Sequence, residues 1–63
     1  MKSSELYRTL IRDGWFKVSQ KGSHAKMQHK TKSGILIVPL HGSQEVGKGL
    51  EKSILKKAGI KKN

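Results

Sequence analysis

A chain of 63 residues can form one small core, hiding only about 60% of the surface that its unfolded form exposes. It has no cysteine, and its three histidines, at 24, 29 and 41, do not form a metal-ligand pattern, so disulfides and a structural metal are excluded and packing alone must hold the core. Fourteen Lys and Arg against four Asp and Glu leave a net charge of +10, which argues against an ordinary mixed-sign surface and for a polyanionic partner.

The opening stretch SSELYRTLIRDG predicts a helix over about residues 4–13. Ser3 or Ser4 is the expected N-cap, Glu5 sits where a carboxylate favours the positive end of the helix dipole, and Gly14 is the expected stop. Leu6 and Leu10, with Tyr7 and Ile11 beside them, recur at i and i+4. From Trp15 the period shortens to two: WFKVSQ sets Phe16 and Val18 on one side of a strand and Lys17 and Ser19 on the other. QKGS is a turn. HAKMQHK alternates again, with Ala25, Met27 and His29 facing one way and His24, Lys26, Gln28 and Lys30 the other. TKSG is a second turn in which Gly34 can take positive φ, and ILIVPL is the most β-prone stretch, its ladder ending near Pro39. GSQEVGKG is too rich in glycine for regular structure. Between about Gly49 and Gly59, Leu50, Ile54 and Ala58 fall on one helical stripe with Leu55 beside it. Lys48, Lys52 and Lys56 form a basic stripe opposite, and the lysine-rich carboxyl end complements the helix dipole.

This order, α-β-β-β-α, is an α+β fold: a three-stranded antiparallel sheet with both helices on one face and the other face open to water. A single domain over residues 1–63 is expected. No apolar run approaches the roughly 20 residues needed to span a bilayer, and the amino end has no signal-peptide core. Together with the absence of cysteine, this points to a cytoplasmic protein with no membrane role. Twelve of the fourteen cations are lysine, a point charge on phosphate rather than the planar fork that reads guanine edges, so contact with a nucleic-acid backbone is expected over base readout.

Strand alternation decides where the first histidine stands. If Ala25 and Met27 pack under the helices, His24 must project from the open face among Lys26, Gln28 and Lys30. An imidazole that titrates near neutrality, set among ammonium groups that attract a phosphodiester, suits proton transfer during RNA cleavage. Such cleavage needs no metal or other cofactor when the 2′-hydroxyl is the nucleophile. Ser23 and His24, being adjacent, point to opposite faces and do not make a nucleophile pair. His29 falls inward as a packing residue, and His41 either orients substrate or caps its loop. The glycines at 42, 47 and 49 lack the spacing of a phosphate-binding loop. On the residues alone an RNA-cleaving enzyme, a non-catalytic RNA-binding module and a basic surface that docks an acidic protein all remain open.

An ordered set of motifs adds to this: Gly14-Trp15 after the helix, KGSH at 21–24, VPLH at 38–41 and ILKKAGI at 54–60. In sequence and spacing this set resembles the HicA toxin family, messenger-RNA interferases of bacterial and archaeal toxin–antitoxin pairs. The resemblance implies a fold similar to the double-stranded-RNA-binding domain, RNase activity on mRNA that needs no metal, and a catalytic histidine, here His24. It also implies a HicB-type antitoxin that covers the site. Lys21, Gly22, Ser23, Lys26, Lys30 and His41 are the expected substrate-binding set around His24. The family pattern is not matched everywhere. Ser19 stands where many relatives have arginine, leaving Lys17 or Lys21 to supply that phosphate contact, and Met27 replaces a common aromatic. The family's usual leucine position in the last helix is Glu51, with the leucine shifted to Leu50.

Overall fold

Residues 1–60, which the computed structural model describes, follow the expected helix–strand–strand–strand–helix order; the lysine-rich end at 61–62 lies outside them. Helix α1 (Ser3–Asp13) leads through Gly14 into strand β1 (Trp15–Lys21), then β2 (His24–His29) and β3 (Leu36–Pro39), and helix α2 (Lys48–Lys57) closes the fold. The strands form one antiparallel sheet in the order β1-β2-β3. One face carries the core: Trp15 from β1, Ala25 and Met27 from β2, and Leu36 and Val38 from β3 meet Leu6 and Leu10 of α1 and Ile54, Leu55 and Ala58 of α2. The opposite face is uncovered.

The start of α1 departs from expectation. Neither serine is the N-cap; Lys2 holds that position. The helix's free amide groups are satisfied by the loop after β3, with the Ser3 N–H donating to the Gln44 carbonyl and the Ser4 N–H to that of Gly42, each at 2.9 Å. Glu5 does act at the helix start, accepting the Lys2 N–H at 3.1 Å. The side chain of Ser3, fully buried, is left to bond elsewhere. Its hydroxyl donates to the Pro39 carbonyl and accepts the His41 N–H at 3.0 Å.

At the other end of α1, Gly14 adopts φ +106°, and a Cβ there would stand 2.7 Å from His29 Nε2. Glycine is required on both counts. His29 is inward, as alternation predicts, and it does more than pack. Its Nδ1 accepts the N–H groups of Thr31 (3.1 Å) and Lys32 (3.2 Å), which fixes the proton on Nε2, and Nε2 donates to the Asp13 carbonyl at 2.7 Å. The ring also meets Trp15 edge-on at 5.3 Å. Lys32, next in the β2–β3 connection, bonds to Asp13 Oδ2 at 2.5 Å and to the Ala58 carbonyl at 2.8 Å, tying the carboxyl ends of the two helices together. That ammonium holds the Asp13 carboxyl below its ordinary value of 3.8, its bond outweighing the desolvation that works the other way.

Helix α2 is rotated from the expected stripe. Ile54, Leu55 and Ala58 are buried, but Leu50 is 49% exposed and Glu51 is 3% exposed. Glu51 faces inward because its carboxylate binds the Met1 amine at 2.8 Å, an ion pair that draws this side of the first turn toward the sheet. The glycine-rich loop likewise contains structure. Lys2 bridges to Glu45, the Val46 N–H donates to the Met1 carbonyl at 3.0 Å, and Val46 is buried in the core.

Candidate active site

The open face is assembled by register. Lys21, His24 and Pro39 align across the three strands, and Ser19, Lys26 and Ile37 form the next row. Side chains directly opposite on one face stand about 5 Å apart at Cβ, so these rows are contact rows. Strict alternation along β1 would put Lys21 on the same face as Trp15, since both have odd numbers. It does not, because a β-bulge interrupts the pairing between Lys17 and Ser19 and leaves Val18 as the extra residue. Trp15 therefore enters the core while Ser19 and Lys21 emerge beside His24.

The result is a cavity of about 470 Å³ lined by Ser19, Lys21, His24, Lys26 and Ile37. Two of its five lining side chains are cations and a third is an imidazole, so it is built for an anion. Lys17 is outside it. The bulge leaves Lys17 opposite Met27, with its ammonium on Gln20 Oε1 at 2.7 Å, in a separate groove lined also by Tyr7 and Arg8 of α1. Of the two lysines expected to replace the arginine absent at position 19, only Lys21 reaches the His24 cavity.

Gly22 makes the turn into β2 with φ +60°, a conformation that a side chain would strain, and the Gln20 side-chain amide closes this turn by donating to the Gly22 carbonyl at 2.9 Å. Ser23 contributes through its backbone: its carbonyl accepts the Leu40 N–H at 2.6 Å and extends the β2–β3 pairing past Pro39. That bond brings His41 beside His24, although His41 does not itself line the cavity. The His24 and His41 rings lie 6.4 Å apart between centroids at an interplanar angle of 81°. Lys30 follows the end of β2, exposed, roughly 20 Å along the chain from His24 at strand spacing, and does not line the cavity. Ile37, 55% exposed, is a lining residue that no motif marks; its position between Leu36 and Val38, both buried, is the signal that places it on the open face.

The three histidines divide cleanly. His29 has both ring nitrogens engaged in structural hydrogen bonds. His24 and His41 are exposed, and among the described residues neither imidazole makes a hydrogen bond, which leaves their ring nitrogens available to a ligand. Among the described residues no group of three or more His, Cys, Asp or Glu is placed to hold a metal ion, and no helix is long and apolar enough to cross a membrane. Phe16, paired with Gln28 on the same side as His24, and Ile37 add exposed apolar area beside the lysines.

Comparison with known proteins places the chain among relatives. A family model described as the HicA toxin of bacterial toxin–antitoxin systems matches residues 3–60. The chain is 44% identical over 61 residues, 97% of its length and 98% of the relative's, to a protein of Pseudomonas fluorescens (strain Pf0-1) named as a probable mRNA interferase HicA.

Proposed function

Since the chain belongs to the HicA toxin family, we propose that it is the toxin of a type II toxin–antitoxin pair: an endoribonuclease that cuts messenger RNA without a metal, using His24 to move the proton. The observation that carries this reading is an imidazole that makes no hydrogen bond among the described residues, set in a cavity with Lys21 and Lys26 on the uncovered face of the sheet.

In the proposed reaction Lys21 and Lys26 draw a ribose-phosphate linkage into the cavity and stabilise the charge that builds on phosphorus-bound oxygen. The substrate's own 2′-oxygen attacks the adjacent phosphorus, and His24 acts as general acid or base, a role worth roughly 100- to 10,000-fold in rate. Gly22 and Ser23 act by fixing the turn and the strand pairing that present His24, and Lys30 meets the RNA backbone farther along its path. The whole chain serves as one RNase domain in the cytoplasm, where transcripts are. A HicB-type antitoxin silences the enzyme by covering this face, its acidic groups meeting the lysines and its apolar groups meeting Phe16 and Ile37, both of which are exposed.

The test is cleavage of single-stranded RNA in excess EDTA by the wild type and by His24→Ala. Wild type should cut, a substrate with 2′-deoxyribose at the cleavage position should resist, and the variant should bind RNA but not cut it. Full activity in the variant removes His24 from the mechanism. Binding by wild type without turnover would leave the chain a non-catalytic RNA-binding module.

A further inference from the structure

Transesterification at a phosphodiester moves two protons: one leaves the 2′-hydroxyl as the P–O2′ bond forms, and one reaches the 5′-oxygen as the P–O5′ bond breaks. A single imidazole facing both oxygens must make both transfers in turn; two imidazoles on opposite sides of the phosphate make them together. We propose that His41 is the second proton-transfer group of this site, acting across the scissile phosphate from His24. The proposal rests on the RNase reading above and extends it. One histidine in its neutral form takes the 2′-proton, the other in its protonated form gives a proton to the 5′-oxygen, and the products are a 2′,3′-cyclic phosphate and a 5′-hydroxyl. The two histidines end in exchanged protonation states, and protons returned through solvent reset them.

Three observations carry it. The first is distance: with ring centroids 6.4 Å apart, both imidazoles can reach oxygens of one intervening phosphate, because a catalytic hydrogen bond spans about 3 Å. The second is availability. Among the described residues neither ring is spent on a bond within the protein, in contrast to His29.

The third is the way His41 is held. It lies just past a strand end, where a loop residue would ordinarily wander, yet hydrogen bonds fix its backbone from both sides. Its N–H donates to Ser3 Oγ at 3.0 Å, its carbonyl accepts the Gln44 N–H at 3.2 Å, and the preceding Leu40 N–H is bound by Ser23 at 2.6 Å. The Gly42 carbonyl that follows accepts the Ser4 N–H. Ser3 completes the clamp by donating to the Pro39 carbonyl. A buried serine at the start of α1 and the residue preceding His24 thus fix the backbone from which the His41 ring projects, which sets the position of its Cα relative to His24. Lys21 and Lys26, which line the cavity with His24, are the charged groups that set its field.

The experiment is the pH dependence of kcat and kcat/KM for cleavage of a short RNA in EDTA by wild type, His41→Ala, His41→Asn and His24→Ala. Far-UV circular dichroism and binding of an uncleavable 2′-deoxy analogue establish that each variant is folded and competent to bind. Wild type should give a bell-shaped profile. Both His41 variants should lose about 100-fold or more in kcat with KM little changed, and one limb of the bell should vanish, as expected on removing a general acid or base. A substrate whose bridging 5′-oxygen is sulfur needs no acid to expel its leaving group, so it should restore one of the two alanine variants and not the other. If wild type leaves 3′-hydroxyl ends or His24→Ala is fully active, the RNase reading fails regardless of His41. If those results hold but the His41 variants keep both limbs and the wild-type kcat, or if the sulfur substrate restores both alanine variants or neither, the two-histidine proposal is wrong.

Discussion

Replacing Gly14 by alanine tests the join between α1 and the sheet and the structural assignment of His29. Its φ of +106° lies where an L residue costs about 1–2 kcal/mol. The added Cβ would stand 2.7 Å from His29 Nε2. The ring cannot retreat without stretching its bond to the Asp13 carbonyl, and a buried polar group left unpaired costs about 1–3 kcal/mol. The sum is roughly 2–5 kcal/mol, set against a total stability of about 3–9 kcal/mol for a chain of this length. At about 4–8 °C per kcal/mol for a domain this small, Gly14→Ala should lower Tm by about 10 °C or more. In a His29→Ala background the obstruction is gone, so the same substitution should cost only the backbone part, a departure from additivity of about 1–3 kcal/mol. Thermal and urea unfolding of wild type, the two single variants and the double variant, followed by far-UV circular dichroism, measures this directly. Strictly additive effects would refute the claim that His29 is what keeps position 14 free of a side chain.

The rotation of α2 makes Leu50→Lys nearly neutral, within about 0.5 kcal/mol as for an ordinary surface change, whereas Ile54→Ala should cost about 2–5 kcal/mol; equal costs in unfolding experiments would mean the helix faces the sheet differently. Because the folded-state pKa of Asp13 lies below its ordinary 3.8, the Asp13–Lys32 bond should contribute its full stability above that value and lose it as pH falls through the lower folded-state pKa. Melting temperatures of wild type and Asp13→Asn should therefore converge as the pH drops below 3.8, and a constant gap would contradict that linkage. In RNA binding at several salt concentrations, Lys21→Ala and Lys26→Ala should each reduce the log–log slope by about 0.7 if each lysine neutralises one phosphate of a single strand. Unchanged slopes would move the RNA path elsewhere.

The sequence made the local structure legible and left the long-range geometry hidden. Leu6 and Leu10 marked α1, and the alternation of Ala25 and Met27 against His24 and Lys26 set the faces of β2, because these signals depend only on neighbours in the chain. The phase of α2 did not come through: Leu50 and Ile54 are four apart and read as one stripe, but the inward side is decided by Glu51 and the Met1 amine, fifty residues away in sequence. Val46 had no periodic neighbours and is buried by pairing with the chain's first residues. The bulge at Val18 carries no local signature in WFKVSQK, yet it turns Lys21 toward His24. Likewise, KGSH and VPLH marked His24 and His41 as site residues, but how close they come depends on the β2–β3 pairing and on Ser3, which is far from both histidines in sequence.

The central claim, that a 2′-oxygen attacks its neighbouring phosphate between proton-transferring groups of the protein, is tested most directly by the chemistry of the cut ends. RNA digested by the purified protein in EDTA should terminate in 2′,3′-cyclic phosphate, opposite a 5′-hydroxyl. Fragments ending in 3′-hydroxyl with a 5′-phosphate partner would show that water is the nucleophile and contradict the account.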